Sequence, residues 1–298
     1  MQKRNVLNSP RLVEIQKKKK KIFLNKVFVF LAIFVIVLIG LSFLSRWPKI
    51  NIRDVAISGN KVTDTKKIEE AVREEISGHY LWFFPKTNFL FYPKSEIKNR
   101  LASDFKRLRD LEVGIVGDNT LGVTMGERVG SYTWCGDDLP SVSASSEDSG
   151  CYFMDETGYV FDEAPYFSRN VYFRFFGKLD GEGESKAGSY FAPSTFKELI
   201  GLKKSLETMK LKPSFVVVKE DGDVEMYLVS NSSFSNSQKI IFRIDSDFQK
   251  IAENLQVALD TEPLKSDFKN KYSSLLYIDL RFGNKVYYKF ANSSEKTQ

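Results

Sequence analysis

VFVFLAIFVIVLIGLSFLS, residues 27–45, runs for nineteen positions without a charged residue. At about 1.5 Å per residue a helix of this length reaches roughly 28 Å, close to the thickness of bilayer hydrocarbon. Its apolar residues point in every direction, with none of the polar stripe that a soluble core helix keeps toward water. A cleaved signal peptide is the competing reading. The run is long for the apolar core of a signal, and the SFLSRWP that closes it offers no small-x-small cleavage site. The segment is therefore read as a retained transmembrane helix.

The flanks orient it. Lys17, Lys18, Lys19, Lys20, Lys21 and Lys26 precede the span, and Arg46 and Trp47 follow it as interfacial anchor types. Residues 1–26 hold nine Lys/Arg against one acid, Glu14. Positive charge stays inside, so the N-terminus is expected in the cytoplasm and residues 46–298 outside the plasma membrane. Residues 1–16 look polar and unstructured, and the basic tail 1–26 is placed against anionic lipid.

The same division disposes of a nucleic-acid reading. The chain's formal charge is +6, the first 26 residues alone carry +8, and the remainder is therefore near neutral at −2. Beyond the span lie some 250 residues, enough for one large or two modest domains. The chain has one histidine, His79, and two cysteines, Cys135 and Cys151. A zinc site takes about four N or S ligands, so none is expected. Outside the cytoplasm the two cysteines can form a disulfide closing a loop of about 16 residues, worth on the order of 3 kcal/mol; two packed thiols are the alternative.

Residues 48–60 read as a strand, with Val55 and Ile57 alternating before Gly59-Asn60. A helix follows, capped by Asp64, with Ile68, Val72 and Ile76 on one face. The aromatic segment 80–92 (Tyr80, Trp82, Phe83, Phe84, Phe89, Phe91, Tyr92) fits either a core filler between helices and sheet or a surface for lipid or a partner, and core is favoured. A second helix over 94–105 and two alternating strands close a β-α-α-β-β unit spanning 48–130.

Residues 131–290 are richer in strands. Short strands at 132–135 and 151–154 flank a polar stretch, 137–150, expected as a surface loop. Residues 178–189 read as a polar insertion, and helices are expected over 194–210 and 247–259. In the hairpin FVVVKE/DVEMYLV, a two-residue turn at Asp221-Gly222 puts Phe215 opposite Leu228 and Val217 opposite Met226. In the last hairpin, SLLYIDLRFGNKVYYKF, a three-residue loop over 282–284 pairs Leu280 with Val286, Ile278 with Tyr288 and Leu276 with Phe290, all on the core face. Residues 291–298 form a polar end expected to be disordered. The strand Lys285, Val286, Tyr287, Tyr288, Lys289, Phe290 then has no successor and is expected to be a sheet edge, with Lys285, Tyr287 and Lys289 on its outer face.

Several motifs together resemble the bacterial cell-division family FtsQ/DivIB. They are residues 52–60 (IRDVAISGN), 119–128 (NTLGVTMGER), the turn 155–161 (DETGYVF) and the penultimate strand 278–282 (IDLRF). The two cysteines, the 137–150 loop, Gly117-Asp118 in place of a frequent proline, and the 178–189 insertion depart from that pattern. The resemblance implies an α+β architecture: one N-terminal transmembrane helix, a β-α-α-β-β POTRA domain, then a mostly antiparallel sheet domain with two helices. It implies a non-enzymatic scaffold at the division site that docks membrane proteins of the FtsB/DivIC and FtsL type. Docking would proceed by strand addition to residues 285–290. A membrane-anchored POTRA adaptor in envelope secretion or assembly is the competing assignment; that class carries POTRA repeats or a barrel, and neither is evident here.

No catalytic motif points elsewhere. There is no G-x-S-x-G, P-loop or H-E-x-x-H. Asp155, Glu156, Asp162 and Glu163 sit in a turn context where acids are ordinary surface residues rather than a glycosidase pair. No cofactor, metal or small-molecule substrate is expected.

Overall fold

The structure, a computed structural model, describes residues 10–139, 150–167, 171–181, 185–229, 238–291 and 296–297. The chain divides into two compact units, Met1–Gly126 and Glu127–Gln298.

The first unit opens with α1, Pro10–Ser45, one helix of 36 residues. Its portion Glu14–Ser45 is long and apolar enough to cross a membrane. The helix starts within the stretch expected to be unstructured. Lysines such as Lys17–Lys21 have good helix propensity, and extending a helix already nucleated by the span adds a hydrogen bond per residue. Residues 1–9 of the expected tail lie outside the described residues.

There follow β1 (Asp54–Ser58), α2 (Thr65–Ile76), β2 (His79–Tyr80), β3 (Phe84–Pro85), α3 (Lys94–Asp104), β4 (Leu108–Gly117) and β5 (Thr120–Glu127). Three strands form a sheet in the order β1-β5-β4, with β1 parallel to β5 and Ile57 opposite Val123. Asp64 caps α2 by accepting a hydrogen bond from the Lys66 amide at 2.9 Å. Ile68, Val72 and Ile76 of α2 and Ile97 and Leu101 of α3 bury against Leu121, Val123 and Met125. Gly59 follows β1 with φ +96°, and a Cβ there would stand 1.8 Å from the Met125 carbonyl oxygen, so no larger residue fits.

Two expectations fail here. The small hairpin β2–β3 interrupts the path between the helices. The aromatic segment does not fill the core either. Two helix faces and one sheet face already close it, and of the seven aromatics only Tyr92 packs against it. Trp82, Phe83 and Phe91 are exposed, as are Leu81 and Leu90.

The second unit contains, in order, β6 (Tyr132–Trp134), β7 (Tyr152–Met154), β8 (Val160–Glu163), β9 (Arg174–Phe176), β10 (Leu179–Asp180), β11 (Tyr190–Phe191), α4 (Phe196–Thr208), β12 (Pro213–Val218), β13 (Asp223–Leu228), β14 (Lys239–Arg243), α5 (Phe248–Asp260), α6 (Leu264–Lys271), β15 (Leu275–Phe282), β16 (Lys285–Phe290) and β17 (Lys296–Thr297). Ten strands make one sheet in the order β17-β16-β15-β14-β13-β12-β9-β6-β7-β8. The pairs β6–β9, β9–β12 and β14–β15 are parallel and the others antiparallel. β10 and β11 pair across the expected 178–189 insertion, of which 182–184 lie outside the described residues. So do residues 140–149 of the expected surface loop. Three helices are present where two were expected. α6 buries only Leu264, so it leaves no apolar period to read.

The sheet is apolar on both faces near its centre. Leu199, Leu202 and Leu206 of α4 and Ile251 and Leu255 of α5 share one core with Val216, Met226, Ile240, Phe242, Ile278 and Tyr288. Cys135, Phe176, Phe215, Val217 and Tyr227 form a second, smaller cluster, against which Cys151 packs. A disulfide joins Cys135 to Cys151. This two-sided burial corrects the β12–β13 register. Phe215 stands opposite Tyr227, Val216 opposite Met226 and Val217 opposite Glu225, one residue away from the expected pairing. A strand wanted on both faces gives alternation nothing to choose by.

Candidate partner-binding edge

The residues singled out for binding, Lys285–Phe290, form β16 beside β15. Val286, Tyr288 and Phe290 are buried, Lys285 is exposed, and Tyr287 and Lys289 are half-exposed, so the expected faces are the observed ones. The turn is different. Phe282 pairs with Lys285, leaving Gly283-Asn284 as a two-residue loop with Gly283 at φ +67°. Register shifts in two places. Between Asp279 and Phe282 a bulge sets Leu280 and Arg281 against Val286 alone, and Ile278 stays opposite Tyr288. At the far end Leu275, not Leu276, meets Phe290; Leu275 is buried and Leu276 exposed. A bulge puts two successive residues against one partner, which reconciles the short loop with an unmixed core face.

The strand does not end the sheet. β17 pairs antiparallel with it, Thr297 opposite Tyr287 and Lys296 opposite Tyr288. The expected disordered tail is therefore corrected at these two positions; residues 292–295 and 298 lie outside the described residues. β17 is only two residues long, so among the described residues it covers only the middle of the edge.

On the sheet face opposite α4 and α5, charges from distant positions interlock. Arg281 donates to Asp279 through Nε at 2.9 Å and Nη2 at 2.6 Å, and through Nη1 to Asp223 at 2.5 Å. Arg243 stands 3.5 Å from the other oxygen of Asp223. The hydrogen bond to Asp279 holds the Arg281 guanidinium above its ordinary value, against the opposing effect of burial. Two residues further along β13, Glu225 accepts from Lys219 at 2.7 Å, Lys239 at 2.9 Å and the Tyr227 hydroxyl at 2.6 Å. Burial pushes this carboxyl up, but the three hydrogen bonds and the Lys239 charge outweigh it and bring it from 4.5 to about 2. Burial and the neighbouring Glu225 raise Tyr227. At the edge itself the Phe282 and Tyr287 rings meet edge-on at 5.1 Å.

Sequence reasoning missed both charge groups. Asp223 and Arg281 are 58 positions apart, and only the sheet order joins them. The alternation of Asp279 with Arg281 was the one available signal. Behind the edge, the Tyr288 hydroxyl is buried with no hydrogen-bond partner among the described residues. Burial raises its pKa.

The remaining flagged residues fall elsewhere. Lys17–Lys21 and Lys26 lie on α1, and Arg46 and Trp47 just beyond it. Asp155, expected as an ordinary surface acid, is instead buried. It accepts from the amides of Thr157 and Tyr159, the Thr157 hydroxyl and Arg128. Burial works against the charge, yet these bonds hold the carboxyl below its ordinary value. Glu163 accepts from the Tyr152 hydroxyl at 3.3 Å, and His79 is exposed in β2. Among the described residues no group of three His, Cys, Asp or Glu could hold a metal.

No protein-family model matches this chain, and no curated protein matches it.

Proposed function

We propose that this protein is a single-pass, membrane-anchored scaffold of the bacterial division machinery, of FtsQ/DivIB type. Its N-terminus is cytoplasmic, and residues 46–298, which are the part of the first unit beyond α1 and the whole of the second, are extracytoplasmic. The first unit is a POTRA-like module; its strand–helix–helix–strand–strand order, with the outer hairpin β2–β3 set aside, supports that reading. The second unit docks membrane proteins of the FtsB/DivIC and FtsL type by strand addition at β16.

The observation that carries the proposal is the far edge of the ten-stranded sheet. There the six-residue strand β16, with a buried apolar face, is met on its outer side, among the described residues, by only the two-residue β17. An incoming strand that displaces β17 gains the main-chain hydrogen bonds along β16. Lys285, Tyr287 and Lys289 then select for an acidic or aromatic partner face. Lysine on an edge also discourages unwanted pairing, which narrows the choice of partner.

A photo-crosslinking residue at position 285, 287 or 289 in dividing cells is expected to capture a small membrane-anchored division protein. A fluorescent fusion is expected to concentrate at midcell. An even rim distribution, with no division protein captured from any of the three positions, overturns the proposal.

A further inference from the structure

We infer that the hairpin tip 81–83 and the segment 88–91 form a second membrane contact, a wedge that enters the outer interface of the same bilayer that α1 spans. The inference rests on reading α1 as a membrane span. It goes beyond anchoring, because it fixes the first unit's orientation to the lipid surface.

The starting observation is an inversion on α1. Its large apolar residues between Val27 and Leu44 are exposed, while Ser42 and Ser45 are buried. These two serines are covered by the aromatic segment. The Ser42 hydroxyl donates to the Phe83 carbonyl at 3.0 Å. Asn88, itself buried, donates through Nδ2 to the Ser45 hydroxyl at 3.0 Å and the Ser45 carbonyl at 3.2 Å. The Phe89 amide reaches the Ile50 carbonyl and the Ile52 amide the Thr87 carbonyl, so the strap is held on both sides of the helix end. Ser42 lies three residues inside that end, about 4.5 Å along the axis. The tip is therefore tied to the helix within its apolar run, not above it.

What the tip presents at that level suits lipid. Leu81 is 81% exposed and Trp82 90%. Phe83, Leu90, Phe91 and Trp47 are more than half exposed beside them. Leu81 and Trp82 sit at φ 48° and 68°, a left-handed pair that non-glycine residues rarely adopt and that turns both side chains outward. Lys86 lies 5.8 Å over the Tyr80 ring, and Arg46 and Lys49 flank the helix end, cations placed for lipid phosphate. Tryptophan and aromatic rings with nearby Lys and Arg are the composition of a membrane interface belt. In water such a tip exposes large apolar surface without benefit. In the bilayer that α1 requires, it is already at the right depth.

The test uses the full chain in phosphatidylcholine/phosphatidylglycerol vesicles whose acyl chains carry bromine near the headgroup in one preparation, for Trp82, and near the chain ends in another, for the span, since bromine quenches tryptophan only on contact. Trp82 emission is obtained as the difference between Trp47→Phe and the Trp47→Phe/Trp82→Phe double variant; buried Trp134 contributes equally to both. A third protein, Phe34→Trp added to that double variant, reports on the span. The Trp82 difference emission is expected to fall about twofold in brominated vesicles and to resist aqueous iodide. Quenching of the Phe34→Trp reporter with no effect on Trp82, which iodide then quenches, overturns the wedge and leaves the span standing. That is also the outcome if a protein partner normally covers the tip. Failure of the Phe34→Trp reporter to be quenched by bromolipid removes the span and the wedge together.

Discussion

Glu225→Gln is expected to destabilise the second unit at neutral pH and to cease to matter in acid. The substitution keeps shape and removes charge from a carboxylate that accepts from Lys219, Lys239 and Tyr227. Lowering this carboxyl from 4.5 to about 2 corresponds to ~3 kcal/mol in favour of the ionised folded state. Lys219 is close to half exposed, so solvent screens part of that, and about 2 kcal/mol is expected at pH 7. The folded carboxyl titrates below the unfolded one. Its contribution is therefore complete above the unfolded value and fades as pH falls toward 2. Near that pH the protonated glutamate and the glutamine are both neutral, and the two proteins should converge. Denaturant unfolding in detergent, followed through Trp134, whose indole is buried and donates to the Gly177 carbonyl, reports the second unit. A gap between wild type and variant that stays constant from pH 7 down to about 2.5 would refute the account of this charge group.

Four other outcomes are expected. Cys135→Ser with Cys151→Ser opens a loop of 16 residues and should lower stability by about 3 kcal/mol, read by the same denaturation with and without reductant. Tyr288→Phe removes a buried hydroxyl without a partner among the described residues and should stabilise by about 1 kcal/mol, whereas Tyr288→Ala should cost about 3–5 kcal/mol; melting curves of the pair separate the ring from the hydroxyl. Tyr287→Ala with Lys289→Glu should leave the melting curve in place and lower partner recovery several-fold in pull-downs, and unchanged recovery counts against docking on β16. Truncation after Ala291 removes β17 and should raise partner recovery two- to threefold, while equal recovery means that the tail does not compete for the edge.

Local signals in the sequence served well where one residue acts through its immediate neighbours. Asp64 read as a helix cap, and its carboxylate accepts from the first-turn amide of Lys66. Ile68, Val72 and Ile76 read as a buried stripe and are one. The two hairpins went the other way. Asp221-Gly222 suggested a two-residue turn, but the loop widens because Phe215 and Val217 are needed under the disulfide side and Val216 under the helices. The loop expected over 282–284 is only Gly283-Asn284, and a bulge over Leu280 and Arg281 keeps Leu280 and Ile278 on one face. The aromatic segment misled for a related reason. Hydrophobicity says that a residue avoids water, not whether protein or lipid replaces it.

Charge and periodicity alone determined the apolar span, its basic flank, the order of most helices and strands, and the inward face of Tyr288, since each follows from the spacing of residues along one stretch of chain. The tertiary structure decided which strands are neighbours, and with that the hairpin registers, the Asp223–Arg281 and Glu225 charge groups, the two-residue cover on β16 and the strap from Asn88 to Ser45. All of these join residues whose separation in sequence carries no period, so nothing short of the folded sheet and the packed helix end brings them together.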